Sequence, residues 1–287
     1  MELIEGVAPP ALAHDSGSNA DCPFCPVEKG KCYTTYKGAA NDSGILEDIM
    51  VDPEQLDSKQ SGAWPHDGKK HASRAAIQSK HSHPEYGDYE FQAHHLISGK
   101  QALQDHVFEK WIDASQSQIE EDTGYTINGS LNGIWAPSWP KSFRGGAHAG
   151  EWTTGSIDRQ EIANYVMAAE GCQFHLGAHN IGDPQDSGAV KHQRYDKWLK
   201  KMLTKMNKRM WGWSNKCPLC CEDGERKEPP FQPNENANRY LNNLSAAAEG
   251  QLTGPRQSWF IFISRLALEY HRPVCGHGLP SGQVLSG

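Results

Sequence analysis

Apolar residues along this chain fall in short runs separated by polar stretches, and the spacing within each run predicts its element. Tyr89-Glu90-Phe91-Gln92-Ala93-His94-His95-Leu96-Ile97 reads as a short strand. Residues 100–121 carry Leu103, Val107, Phe108, Trp111 and Ile112 at helical spacing and predict a helix. Gly124-Tyr125-Thr126-Ile127-Asn128 reads as a strand and turn that ends in Leu131-Asn132-Gly133-Ile134. Helices are predicted over 157–170, 190–210 and 235–249. A strand-length apolar run, Trp259-Phe260-Ile261-Phe262-Ile263, follows and stops at Ser264-Arg265. Residues 1–20, with Pro9-Pro10, read as linker. Residues 37–88, rich in Gly, Ser, Asp, Lys and His, read as long loops with short helical pieces at most.

This pattern predicts one α+β domain with long irregular insertions. Composition agrees: 28 Gly and 17 Pro among 287 residues, and 37% hydrophobic residues, describe a loop-rich soluble chain. No stretch approaches the roughly 20 apolar residues of a membrane span, so no membrane insertion is expected. Met1-Glu2-Leu3-Ile4-Glu5 has neither the basic region nor the apolar core of a Sec-type signal.

Charge changes the picture locally. The formal net charge of -7 is the wrong sign for a simple nucleic-acid binder. Yet Lys191, Arg194, Lys197, Lys200, Lys201, Lys205 and Lys208 stand against a single Asp196 between 191 and 208. That run is either a solvated helix face or a basic surface for phosphates.

Three histidine and asparagine features bear on chemistry. Adjacent residues of a strand point to opposite faces, so one member of His94-His95 can ligate a metal while the other addresses a substrate. Asn132-Gly133 marks a turn whose amide can fix an imidazole tautomer. His175 and His179, four residues apart, fall on one face if helical and then chelate one cation. Singly, each has an ordinary structural explanation; their co-occurrence raises the chemical one.

Eight cysteines include two C-P-x-C knuckles, Cys22/Cys25 and Cys217/Cys220. Four thiolates make the closed tetrahedral shell of a structural zinc, which would staple the N-terminal arm to the region after the basic helix. Pairings through Cys32, Cys221 or Cys275 with His277 compete, as does thiol redox chemistry. Cys172 reads as a core residue. Trp135, Trp139 and Trp152 are either core filling or surfaces for base stacking.

The string AHHLI, GYTINGSLNGIWAP, FHLGAH and RYDKWLKKML, between residue 89 and about 205, resembles the AHH branch of the HNH/endonuclease VII superfamily. The resemblance implies a ββα-metal core over 89–210, flanked by a loop-rich region 1–88 with one zinc knuckle and a C-terminal region 211–287 with the other. It implies a metal-dependent endonuclease acting on DNA, with RNase activity on the same scaffold or a non-catalytic zinc-stabilised binding module as alternatives. His94, His175 and His179 then resemble the metal ligands, His95 the general base and Asn132 the residue that orients it. His148 and His192 are rival ligands, because the stretch from Asn132 to His175 requires an insertion (138–170) that loops out. Lys100, Lys191 and Arg194 are expected phosphate contacts. One catalytic divalent metal (Zn, Mg, Mn or Ni) and one structural zinc are expected cofactors. Family members are frequently secreted antibacterial toxin domains of type VI or related systems. The resemblance therefore implies a cognate immunity protein, a secretion apparatus or carrier domain, delivery without a Sec signal into the target cytoplasm, and a cytoplasmic location in the producer.

Overall fold

A computed structural model describes residues 41–51, 82–143, 146–175, 193–214, 221–222, 225–226, 228–231, 233 and 235–274. Cys22, Cys25, Cys217, Cys220, His179, Lys191 and His192 lie outside the described residues. The strands are β1 (Ser82–His83), β2 (Gly87–His95), β3 (Gly133–Pro140), β4 (Cys221–Glu222) and β5 (Glu225–Arg226). The α-helices are α1 (Ser43–Val51), α2 (Ala149–Thr154), α3 (Arg159–Glu170), α4 (Gln193–Ser214), α5 (Glu235–Thr253) and α6 (Arg265–His271). This mixture of helices and small sheets is the expected α+β class. Among the described residues, no helix is long and apolar enough to cross a membrane.

The chain divides into two units interleaved in sequence. One takes Met1–Leu46, His95–Gly133 and Asp196–Ala248; the other takes Glu47–His94, Ile134–Tyr195 and Glu249–Gly287. Within the second, β1, β2 and β3 form a sheet in that order, with β1 antiparallel to β2. Strand alternation sends Tyr89 and Phe91 into the core, where the Tyr89 hydroxyl donates to the buried Glu170 carboxylate at the end of α3. Asp158 caps α3 by accepting from the Glu161 N–H, and Gly171 ends it in the left-handed conformation. The buried face of α3 is Ile162, Ala163, Val166 and Met167. Gln160 also donates to the Leu266 carbonyl in α6.

The described residues of 138–170 are therefore structured rather than a looped-out insertion. β3 is buried along its length, and Phe143, Ile157 and α3 continue the core. Trp135 is fully buried. Trp139 packs edge-on against Trp152 and Phe174 at ring distances of 4.9 and 4.5 Å. Trp135 and Trp139 fill the core, because β3 is covered on both sides, whereas Trp152 is half-buried.

In the first unit, residues 100–121 do not form the predicted helix. Ser98 caps a single π-type turn, Gly99–Leu103, and short 3-10 turns follow at Glu109–Trp111 and Ala114–Gln116. Asp105 and Ser117 adopt φ of 60°, and Asp113 accepts from the Ser115 N–H. Short polar side chains that bond nearby backbone compete with a continuous helix. Helical spacing survives only as a buried set, Leu103, Phe108, Trp111 and Ile112. The α4 residues Leu199, Met202, Leu203, Met206 and Met210 are buried in the same unit. The Trp111 indole N–H donates to Asn207 at 2.8 Å, and His106 meets Thr204 at 3.2 Å. The opposite face of α4 exposes Lys197, Lys200, Lys201, Lys205 and Lys208.

Asp196 is the exception on this helix. It is buried, and burial pushes its carboxyl pKa up from 3.8 to about 7, against the pull of Lys200 one turn later. The folded state therefore holds a proton that the unfolded state gives up between pH 3.8 and about 7, so stability falls as pH rises through that window. Asp196→Asn is expected to raise the thermal midpoint by several degrees at pH 8 and to leave it unchanged at pH 3.5, as read by circular dichroism melts.

Candidate active site

His94 and Gln92 lie on the same face of β2, two residues apart. On the same side stands His175, whose ring centre is 4.8 Å from that of His94 at an interplanar angle of 65°. Both rings are buried, as is Tyr195, whose ring is 5.9 Å from His94. His175 belongs to a stretch without helical structure, so the predicted helical chelate does not extend back to it. The backbone holds it instead. Its N–H donates to the Pro137 carbonyl of β3 at 2.8 Å, and its Nδ1 lies 3.2 Å from Gln92 Oε1.

The preceding residues anchor this irregular stretch through hydrogen bonds. The Gln173 side chain donates to the Gln251 and Ile261 carbonyls and accepts from the Ile263 N–H. The Gln173 N–H donates to the Leu252 carbonyl, and the Ser264 hydroxyl donates to the Phe174 carbonyl. The apolar run 259–263 is thus no ladder strand. It is an irregular segment, buried at Trp259, Ile261, Phe262 and Ile263, that hydrogen-bonds the residues leading to His175.

A metal fits the donor set. Two imidazoles that share one cation through bonds of about 2.1 Å place their ring centres roughly 4.5–5.2 Å apart. The observed 4.8 Å lies in that range. Donation from His175 Nδ1–H to Gln92 leaves the lone pair on Nε2, the tautomer a ligand needs. Among the described residues no third His, Cys, Asp or Glu joins the pair. His148, a rival ligand, is bonded to Glu151 at 3.1 Å and packs on Tyr86.

His95 belongs to the other unit. It is buried, and its Nε2 lies 2.7 Å from Asn128 Oδ1. Burial pushes its imidazole pKa below the ordinary 6.5, opposed by the Asn128 bond and by the nearby Asp42 charge. The ring is therefore neutral at physiological pH and able to accept a proton.

Asn132 does not orient this ring. Its Oδ1 accepts from the Ile97 N–H at 2.7 Å and the Ser245 hydroxyl at 2.8 Å. Its Nδ2 donates to the Ile97 and Ile127 carbonyls at 3.0 and 2.8 Å. With both ends of the amide committed, Asn132 stitches the chain after β2 to the chain before β3. Asn128 holds His95 in its place. Lys100 is exposed in the turn after Ser98, and the side chain of Arg194 lies outside the described set.

Sequence reading missed Gln92, Asn128 and Gln173. Only Gln92 carried a signal, as a polar residue two before His94 in an apolar strand.

Two expected outcomes follow from this geometry. Asn132→Ala strands several buried backbone groups and is expected to cost about 2–4 kcal/mol in urea unfolding. Gln92→Leu frees the His175 tautomer and is expected to weaken divalent-metal affinity about 10–100-fold, as read by titration calorimetry.

Residues 77–212, just under half of the chain, match the model of a nuclease family of the HNH/ENDO VII superfamily with conserved AHH. No curated protein and no solved structure gives a match. The match contains Ala93-His94-His95, both asparagines and His175. The segment 77–212 is therefore similar to the AHH nuclease family of the HNH/ENDO VII superfamily.

Proposed function

We propose that this chain is a metal-dependent endonuclease that hydrolyses phosphodiester bonds in DNA and serves as a secreted antibacterial toxin domain. The observation that carries the enzymatic reading is the His94–His175 pair at 4.8 Å, with a Gln92-set tautomer, next in sequence to a buried neutral His95. His94 and His175 are the residues that would hold the cation, with His179 as their third partner by resemblance. When bound, a divalent ion supplies Lewis acidity to the phosphate and charge stabilisation at the leaving oxygen.

His95 removes one proton from the attacking water. The new P–O bond forms as the bond from phosphorus to the 3′ oxygen breaks, and the leaving oxygen ends protonated as a hydroxyl. Lys100 and the cationic face of α4 neutralise phosphates along the substrate. The toxin role, an immunity protein, a secretion apparatus or carrier domain, and delivery into a target cytoplasm rest on the family resemblance. A structural zinc on Cys22, Cys25, Cys217 and Cys220 rests on knuckle spacing.

Purified protein with Mn, Mg, Ni or Zn is expected to nick plasmid DNA. His95→Ala is expected to lower the rate at least about 100-fold while retaining metal, and His94→Ala to lose metal affinity itself. Total RNA degraded while plasmid stays intact would make the enzyme an RNase. Equal inactivity of wild type and His95→Ala on both substrates would overturn the nuclease reading.

A further inference from the structure

The histidine that serves as base can use either ring nitrogen, and nothing in its type selects one. Here the selection is made by a short network within one unit. Asn128 Oδ1 lies 2.7 Å from His95 Nε2 and also accepts the Asp42 backbone N–H at 3.0 Å. An asparagine amide has an acceptor end and a donor end that geometry alone does not distinguish. A backbone N–H only donates, so the atom facing Asp42 is the oxygen. The same oxygen then faces His95, whose Nε2 must carry the proton. A neutral imidazole has one N–H, which leaves the lone pair on Nδ1.

Asp42 is itself held by the chain that follows it. Its Oδ1 accepts from the Gly44 and Ile45 N–H groups at 3.0 and 3.1 Å, and its carbonyl accepts from Leu46, capping α1. Asn41 ties the same segment to the chain just beyond His95. It accepts from the Gly99 N–H at 2.7 Å and donates to the Ser98 hydroxyl at 3.5 Å. Residues 41 and 42 precede the family match, which begins at 77.

We propose that Asn128, oriented by the Asp42 backbone amide, is a positioning residue that fixes His95 with its proton on Nε2, so that Nδ1 takes the proton from water. The proposal rests on the nuclease reading for its catalytic consequence, but the tautomer is a property of the folded chain alone. It also assigns a role to a segment outside the matched family region.

Long-range proton–nitrogen correlation spectra of the full chain, labelled with nitrogen-15 at histidine and free of metal at neutral pH, read the tautomer directly. The His95 resonances are identified by their loss in His95→Gln. The expected result is a single Nε2–H form in the wild type, a mixture of tautomers in Asn128→Ala, and recovery of the Nε2–H form in Asn128→Asp, whose carboxylate accepts both donors. In plasmid cleavage, Asn128→Ala is expected to lower kcat about 10–100-fold with KM and metal affinity unchanged, and Asn128→Asp to recover most of it. An Nδ1–H form in the wild type, or wild-type kcat in a folded Asn128→Ala, overturns the proposal. Failure of the wild type to cleave any nucleic acid overturns the nuclease reading instead, and the spectra still decide the role of Asn128.

Discussion

An imidazole does one task at a time because only one of its nitrogens offers a lone pair when the ring is neutral. Everything that His175 and His95 are assigned to do depends on that choice being made in advance. In both cases a side-chain amide makes it: Gln92 takes the Nδ1–H of His175, and Asn128 takes the Nε2–H of His95. The two rings are thereby prepared for opposite nitrogens, one presenting Nε2 and the other Nδ1. Buried imidazoles with fixed tautomers lose little on binding or reacting, since their orientation is already set by folding.

The amides in turn need fixed positions, and much of the irregular structure supplies them. Gln92 is fixed by strand alternation, which places it on the His94 side of β2. His175 is brought to it by the Pro137 carbonyl of β3 and by the Gln173 network, whose partners reach from the end of α5 through residue 263. Asn128 is fixed by the backbone of Asp42, and the segment around it by Asn132, whose amide bonds tie Ile97, Ile127 and Ser245 together. Outside β2 and β3, most of these restraints are hydrogen bonds to loop backbone rather than ladder bonds. That suits a chain so rich in Gly and Pro.

How much of this was legible from the residues follows from the range of the interactions. β2 was readable because its alternation is local, and the helices α3, α4 and α5 because their apolar spacing is regular. The 100–121 stretch was misread because its apolar residues keep helical spacing while Asp105, Asp113 and Ser117 break the backbone. The run 259–263 offered no sign that its carbonyls and amides serve Gln173, some ninety residues earlier. At the site, the histidines were visible as residue types, and Ala93-His94-His95 with Asn132-Gly133 pointed to the family. The amides were not. Asn128 and Asn132 are equally plausible partners in sequence, and only the saturation of Asn132 by backbone groups separates their roles. Pairings across 83 residues for Gln92 and His175 leave no local trace.

On the proposed nuclease reading, His94 and His175 hold one catalytic cation. An anomalous difference map from a crystal grown with manganese, collected to favour the metal signal, tests it most directly. The expected result is a single strong peak within bonding distance of both imidazoles, reached by His175 through Nε2. A map with no peak between those rings, or with metal bound only by cysteine or surface residues, would contradict it.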